Sequence, residues 1–343
     1  MQALVRTQIK EPIVALDDIN FTVNPGEIVA VVGPNGAGKT TTFRILVGLT
    51  TPTTGSAKVM GFDTTKQSAS VRSLVGWMPG DDRSMLMRLS CAENLRFHGR
   101  LQGMKTKAID RRVDETLELV GLGHAAKKSI FALSAGMRAR IQLARAIFHK
   151  PPVLILDEPT GAVDPVAAHG LLNLIIDIVE ESKIAALLSS HRLEEIEALH
   201  SRMILLDRGR IRYDGDLDTM RARLDRPCVE ITFGEEQTAD QASKLLTANG
   251  HGPESVSQEG QVLRCILSRG ARHGEVLAEL NGLIGDIVSI EEVKRPLRDL
   301  LAEIYGAEGT PTQQELRQRR REQRRAEGEG GERKGSGRVG SGR

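Results

Sequence analysis

Eight residues constrain this chain more than the rest of it: Gly33, Pro34, Asn35, Gly36, Ala37, Gly38, Lys39 and Thr40, in the form GxxxxGK[ST]. The pattern works only with a strand before it and a helix after it. Residues 27–32 (EIVAVV) read as a buried strand, and residues 39–49 carry Phe43, Leu46, Val47 and Leu49 near helical spacing. Glycines let backbone N–H groups turn inward around phosphate oxygens, and the helix N-terminus adds partial positive charge. Lys39 would then reach the β- and γ-phosphates, Thr40 would set its hydroxyl on Mg2+, and Thr41 would lie close to the α-phosphate.

Three further features suit the same chemistry. A second apolar run, residues 153–156, ends in Asp157-Glu158. An acid at that end of a buried strand lies beside the phosphate loop in sheets of this kind, so Asp157 would hold Mg2+ and Glu158 would orient and polarise the attacking water. Leu133-Ser134-Ala135-Gly136-Met137 precedes a helix read at 138–149. Taken alone, Ser134 is an N-cap; between two phosphate motifs, that N-terminus is a second phosphate site. His191 follows a third strand, residues 185–188 and the serines after it. By itself it is a structural histidine; its place beyond the acid pair suits a hydrogen bond to the γ-phosphate and the water.

Composition narrows the setting. Only seven Phe, one Trp and two Tyr occur in 343 residues, which argues against nucleic-acid binding by ring stacking. Cys91, Cys228 and Cys265 form no CxxC pair, which suits a reducing, cytosolic compartment. No apolar run approaches the roughly 20 residues of a membrane helix, and the N-terminus lacks a signal-peptide core. Residues 306–343 carry a net charge of +4 among Gly, Arg, Glu, Gln and Ser. That composition predicts a disordered tail, whose basic run 317–325 is where contact with anionic lipid would reside.

A boundary is expected near Arg226-Pro227. Residues 1–225 alternate short apolar runs with helical patterns, which predicts an α/β domain on a mainly parallel sheet. Beyond it, a strand at 228–233, a helix at 239–249, a hairpin at 255–267 turning at Glu259-Gly260, a helix at 275–284 and a strand at 286–293 predict a small ferredoxin-like α+β unit. A closing helix is expected at 297–305.

Taken in order, these motifs resemble those of the nucleotide-binding subunits of ABC transporters. The phosphate loop resembles their Walker A motif and Leu133–Met137 their signature. Leu156-Asp157-Glu158-Pro159 resembles Walker B, Ala162-Val163-Asp164 the D-loop, and His191 the switch histidine. The resemblance covers about residues 1–225. It implies a P-loop NTPase cassette with a helical subdomain at about 80–150, ATP and Mg2+ as ligands, and hydrolysis involving Glu158, His191 and Lys39. It also implies that two cassettes meet head to tail, with Ser134, Gly136 and Asp164 facing the partner's nucleotide, and that a separate transmembrane permease docks on the helical subdomain. The chain would then sit peripherally on the cytoplasmic face of the cell membrane. Residues 226–305 are similar to accessory domains on the ATPase subunits of bacterial drug and lipid exporters, which points to export. An alternative is a soluble ABC-like ATPase acting on ribosomes or nucleic acid; a single phosphate loop and a single signature favour the transporter, with no specific nucleic acid as partner.

Three departures from the family pattern stand out. No aromatic residue precedes Phe21, so Ile9 or its neighbours would meet adenine. Ala135 and Met137 replace two signature residues. Gly80 stands where a glutamine is usual; Asp81 and Asp82 are expected to face the subdomain interface or pair with Arg83, leaving the metal to Thr40, Asp157 and water.

Overall fold

A short apolar run with no alternation belongs in the middle of a sheet. Ile28–Val32 forms β1 there, with four of its five residues buried. The computed structural model describes residues 14–80, 84–224, 226–248, 253, 255–268, 273–295 and 297–306. Ile9, Asp81, Asp82, Arg83 and the tail beyond Gly306 lie outside the described residues. The chain divides into two units, Met1–Arg295 and Pro296–Arg343.

After β1 comes α1 (Lys39–Leu46), three residues shorter than expected, because Gly48 turns left-handed at φ 68° and ends the helix before Leu49. β2 (Lys58–Val59) and β3 (Phe62–Asp63) pair as a small ladder ahead of α2 (Ser68–Leu74) and β4 (Val75–Met78). A helical layer follows: α3 (Cys91–Leu101), α4 (Thr106–Leu119) and α5 (Ala135–Ile147). Ser90 and Glu93 close a reciprocal capping box on α3. α5 begins three residues earlier than expected, because Ser134 accepts from the Met137 N–H and starts the helix there. Then come β5 (Val153–Asp157), α6 (Pro165–Ser182), β6 (Ala185–Ser190), α7 (Leu193–Leu199), β7 (Arg202–Asp207), β8 (Arg210–Gly215) and α8 (Leu217–Arg223).

The six-stranded sheet runs β4-β5-β6-β1-β7-β8. All its pairs are parallel except β7 with β8. The expected mainly parallel core is therefore present, and β4, β7 and β8 extend it beyond the three strands read from sequence. Val29, Val31, Phe43, Ile155, Leu187 and Ile204 belong to one buried cluster of this domain.

The C-terminal elements of the first unit are β9 (Cys228–Phe233), α9 (Glu236–Ala248), β10 (Ser255–Glu259), β11 (Val262–Ile266), α10 (His273–Glu279) and β12 (Ile287–Glu292). Their sheet order is β10-β11-β9-β12, antiparallel throughout, which is the order of a split β-α-β unit. Val229, Ile231, Phe233, Leu246, Leu263 and Leu280 share a core cluster separate from the first. The hairpin turns at Gly260-Gln261, one residue later than expected, with Gly260 at φ 60°. α10 ends at Glu279, five residues early, and a 3-10 turn at Ile284–Asp286 leads into β12. In the second unit, α11 spans Leu297–Gly306, one residue longer than expected. No helix among the described residues is long and apolar enough to cross a membrane.

The helical layer holds a titratable pair. The rings of His98 and His149 lie edge to face at 5.9 Å, with Phe148 against His98. The Nε2 of His98 is sealed from solvent without a hydrogen-bond partner. Burial, with Arg145 and His149 alongside, pushes His98 from 6.5 down to about 4; burial also pushes His149 down. Between those values the unfolded chain binds protons that the folded chain refuses. Stability is therefore complete above pH 6.5 and falls as pH drops toward 4, by about 3 kcal/mol from His98 alone. Urea midpoints taken from pH 7.5 to 4.5 should fall accordingly, and His98→Phe should flatten part of that slope. A His98→Phe slope equal to the parent's would contradict this assignment.

Candidate functional site

Register alone gathers the site. β5, β6 and β1 are neighbours, with Asp157 beside Ser189 and Ser190 beside Val32. The segments leaving these strands, Glu158 onward, His191 onward and Gly33 onward, therefore emerge together at the carboxyl edge, where ligands of open α/β sheets bind.

The phosphate loop is wedged from behind by the β7–β8 hairpin. A Cβ at Gly33 would run into the Leu206 carbonyl, and the Gly209 N–H donates to the Ala37 carbonyl at 2.9 Å. Gly38 sits at φ 113°, open to glycine alone in practice, and a side chain there would also strike Leu16. The Ala37 N–H donates to the Pro34 carbonyl at 3.1 Å, while Pro34, Asn35 and Gly36 are exposed. Thr41 is half-buried one residue into α1 beyond Thr40.

Lys39 is buried, and its Nζ donates to the Gly33 carbonyl at 2.7 Å and the Pro34 carbonyl at 3.2 Å. Burial lowers its pKa, while the charges of Glu158 and Asp157 pull the other way. Thr40 Oγ1 donates to Asp157 Oδ2 at 2.8 Å, and Ser189 Oγ donates to Asp157 Oδ1 at 2.7 Å. Ser189 Oγ also accepts from the Glu158 N–H at 2.8 Å. A hydroxyl and a carboxylate oxygen this close form a hard-oxygen pair that fits Mg2+.

Glu158 lies in left-handed backbone, at φ 48°. Its Oε1 is 3.4 Å from His191 Nδ1, and both side chains remain partly open to solvent, at 32% and 50%. A water molecule can therefore reach them. Gly80 is close by: a Cβ there would lie 3.2 Å from the Asp157 carbonyl.

Ser134, Gly136 and Asp164 form a second group, at the adjoining N-termini of α5 and α6. Asp164 caps α6 by accepting from the Ala167 N–H at 3.0 Å, with Pro165 in the first turn. A Cβ on Gly136 would stand 3.1 Å from the Ala167 Cβ, so glycine allows the two helix starts to approach this closely.

Sequence reasoning missed the polar support. Ser189, Ser190, Thr160 and Glu195 are all buried. The one available signal was the break from Ala185–Leu188 into two serines inside a fully buried strand.

Comparison with known proteins identifies the family. The model of the family described as ABC transporter matches residues 16–161. The doxorubicin resistance ATP-binding protein DrrA of Mycobacterium tuberculosis is 39% identical over 226 residues, covering 66% of this chain and 68% of that protein. The Nod factor export ATP-binding protein I of Cupriavidus pinatubonensis is 34% identical over 307 residues, 89% of this chain and 90% of that protein. Among solved structures, a dimeric bacterial ABC transporter cassette is similar at TM-score 0.55 and 25% identity, over 61% of this chain and 94% of that one. The chain belongs to the ABC transporter family, as one of its ATP-binding, ATP-hydrolysing subunits.

Proposed function

We propose that two copies of this chain hydrolyse MgATP at head-to-tail composite sites and thereby drive export through a separate membrane subunit. The observation that carries the reading is the division of the site residues. Lys39, Thr40, Asp157, Glu158 and His191 converge at the carboxyl edge of the sheet, while Ser134, Gly136 and Asp164 cluster at two adjoining helix N-termini. The second cluster offers helix N-terminal N–H groups and the Ser134 hydroxyl to anionic oxygens, and a second copy would bring them to the first copy's nucleotide.

In this reading Gly33, Pro34, Asn35, Gly36, Ala37 and Gly38 shape the phosphate cradle, and Lys39 and Thr41 bind its oxygens. Thr40 and Asp157 hold Mg2+, which would neutralise charge on the β- and γ-phosphates. Glu158 orients a water and takes its proton as the water oxygen bonds to the γ-phosphorus and the bond to ADP breaks. His191, 3.4 Å from Glu158, donates to a γ-phosphate oxygen. ATP favours the closed pair over the open one, and this differential affinity is what can move a docked membrane protein between states.

Two observations support export. The relative named for Nod factor export aligns across 307 residues, so the likeness runs past the cassette into the segment beyond residue 225. The relative named for doxorubicin resistance aligns over 226 residues. We assign residues 1–225 to the cassette and 226–305 to the accessory portion. The expected location is the cytoplasmic face of the membrane, held there by the permease.

A tagged chain should sediment with membranes, leave them on an alkaline wash, and keep an integral membrane protein bound in mild detergent. Its ATP hydrolysis should stop with EDTA. Co-sedimentation with ribosomes, or recovery free of any membrane protein, would sink the transporter reading.

A further inference from the structure

Behind Glu158 and His191 lies a buried carboxylate to which the hydrolysis described above gives no role. Glu195, in the first turn of α7, is 6% exposed. Its Oε2 accepts from Thr160 Oγ1 at 2.8 Å and from Ser190 Oγ at 2.6 Å, and its Oε1 meets an Arg192 guanidinium nitrogen at 3.3 Å. Ser190 Oγ also accepts from the Arg192 N–H at 3.0 Å. The other arm of Arg192 donates to the Val163 carbonyl at 3.2 Å.

These bonds bracket both reactive side chains. His191 stands between Ser190 and Arg192, and each of those is tied to Glu195. Glu158 leads a loop whose Thr160 is tied to Glu195 directly and whose Val163, next to Asp164, is tied to it through Arg192. One carboxylate thus joins two loops that come from different strands. A buried charge is retained at a desolvation penalty, which three converging donors offset here.

We propose that Glu195 is a positioning residue for hydrolysis: it sets the separation of Glu158 and His191 by fixing the loops on which both ride. This rests on the roles proposed for that pair. Misplacing a catalytic group by about 1 Å can lower a rate by about 10²-fold. Among the described residues, none of the hydrogen bonds of Glu195 goes to the phosphate loop, so nucleotide affinity should be spared.

The test is steady-state ATP hydrolysis by the full chain, with thermal midpoints, for Glu195→Ala, Glu195→Gln and, in parallel, Glu158→Gln. Glu195→Ala should lose about 10- to 10²-fold in kcat, with KM for ATP within about twofold of the parent. Glu195→Gln keeps an oxygen for Thr160 and Ser190 but loses the charge facing Arg192, so it should fall between, at about threefold or more. If Glu195→Ala does not fold, the glutamine variant decides alone. Parental kcat in Glu195→Gln and Glu195→Ala beside an inactive Glu158→Gln overturns this proposal and leaves the hydrolysis reading standing. So does a loss that merely tracks the folded fraction, or a KM that rises as kcat falls. A Glu158→Gln enzyme at the parental rate overturns the hydrolysis reading itself.

Discussion

Glu158→Gln should bind ATP and lose at least about 10²-fold of turnover, the usual loss on removing a general base. The amide keeps the size of the side chain but cannot take a proton from water. The backbone tether from the Glu158 N–H to Ser189 Oγ does not involve the side chain, so the loop should keep its shape. Lys39, Thr40 and Asp157 are untouched, so ATP and Mg2+ affinity should hold. If hydrolysis discharges the closed pair, as proposed, the variant should accumulate as an ATP-bound dimer. Gel filtration with ATP and Mg2+ should show that dimer, and a hydrolysis assay should show the loss. Hydrolysis at the parental rate would remove Glu158 from the reaction.

Lys39→Ala and Ser134→Arg should each be inactive alone, for different reasons, and partly active when mixed. The first removes the cation proposed to meet the phosphates; the second places a long charged side chain where a hydroxyl caps α5. In a mixed dimer one site draws its lysine from one chain and its serine from the other, and is intact. Random pairing with independent sites would return up to about a quarter of the parental rate. If both sites must fire together, nothing returns, and a crosslink decides. Ser134→Cys with Gly36→Cys should then give a covalent dimer under oxidation with ATP. The native thiols Cys91, Cys228 and Cys265 are all buried and should stay silent. Crosslinks confined within one chain would contradict the head-to-tail arrangement.

Residues whose placement follows from local chain geometry were legible in the sequence. A strand, a glycine turn and a helix start bring Gly33–Thr40 together without help from elsewhere, and Ser134 announces the α5 N-terminus by the same logic. Asp157 and Glu158 were legible because a buried strand can place acids only at its end. What escaped depends on distant parts of the chain. Gly33 is glycine partly because of the Leu206 carbonyl, which lies far along the sequence on a hairpin that carries no motif. The ties among Thr160, Ser190 and Glu195 join loops from β5 and β6, and only their shared register reveals them. The lengths of α1 and α10 failed for a simpler reason: apolar spacing continues past the point where Gly48, in one case, and a turn over residues 280–283, in the other, redirect the chain.

The left-handed backbone at Glu158 has a consequence for how this protein can change. A side chain at φ 48° is less stable than glycine there by about 1–2 kcal/mol. Drift under pressure for folding alone would erode the glutamate toward glycine or asparagine. A laboratory screen that scores only thermal resistance will therefore enrich Glu158→Gly among its early winners and, with Glu158 in the role proposed for it, harvest a sturdier protein that no longer burns ATP. Any campaign to toughen this subunit has to select for turnover and heat resistance together, because at this position the two pull in opposite directions.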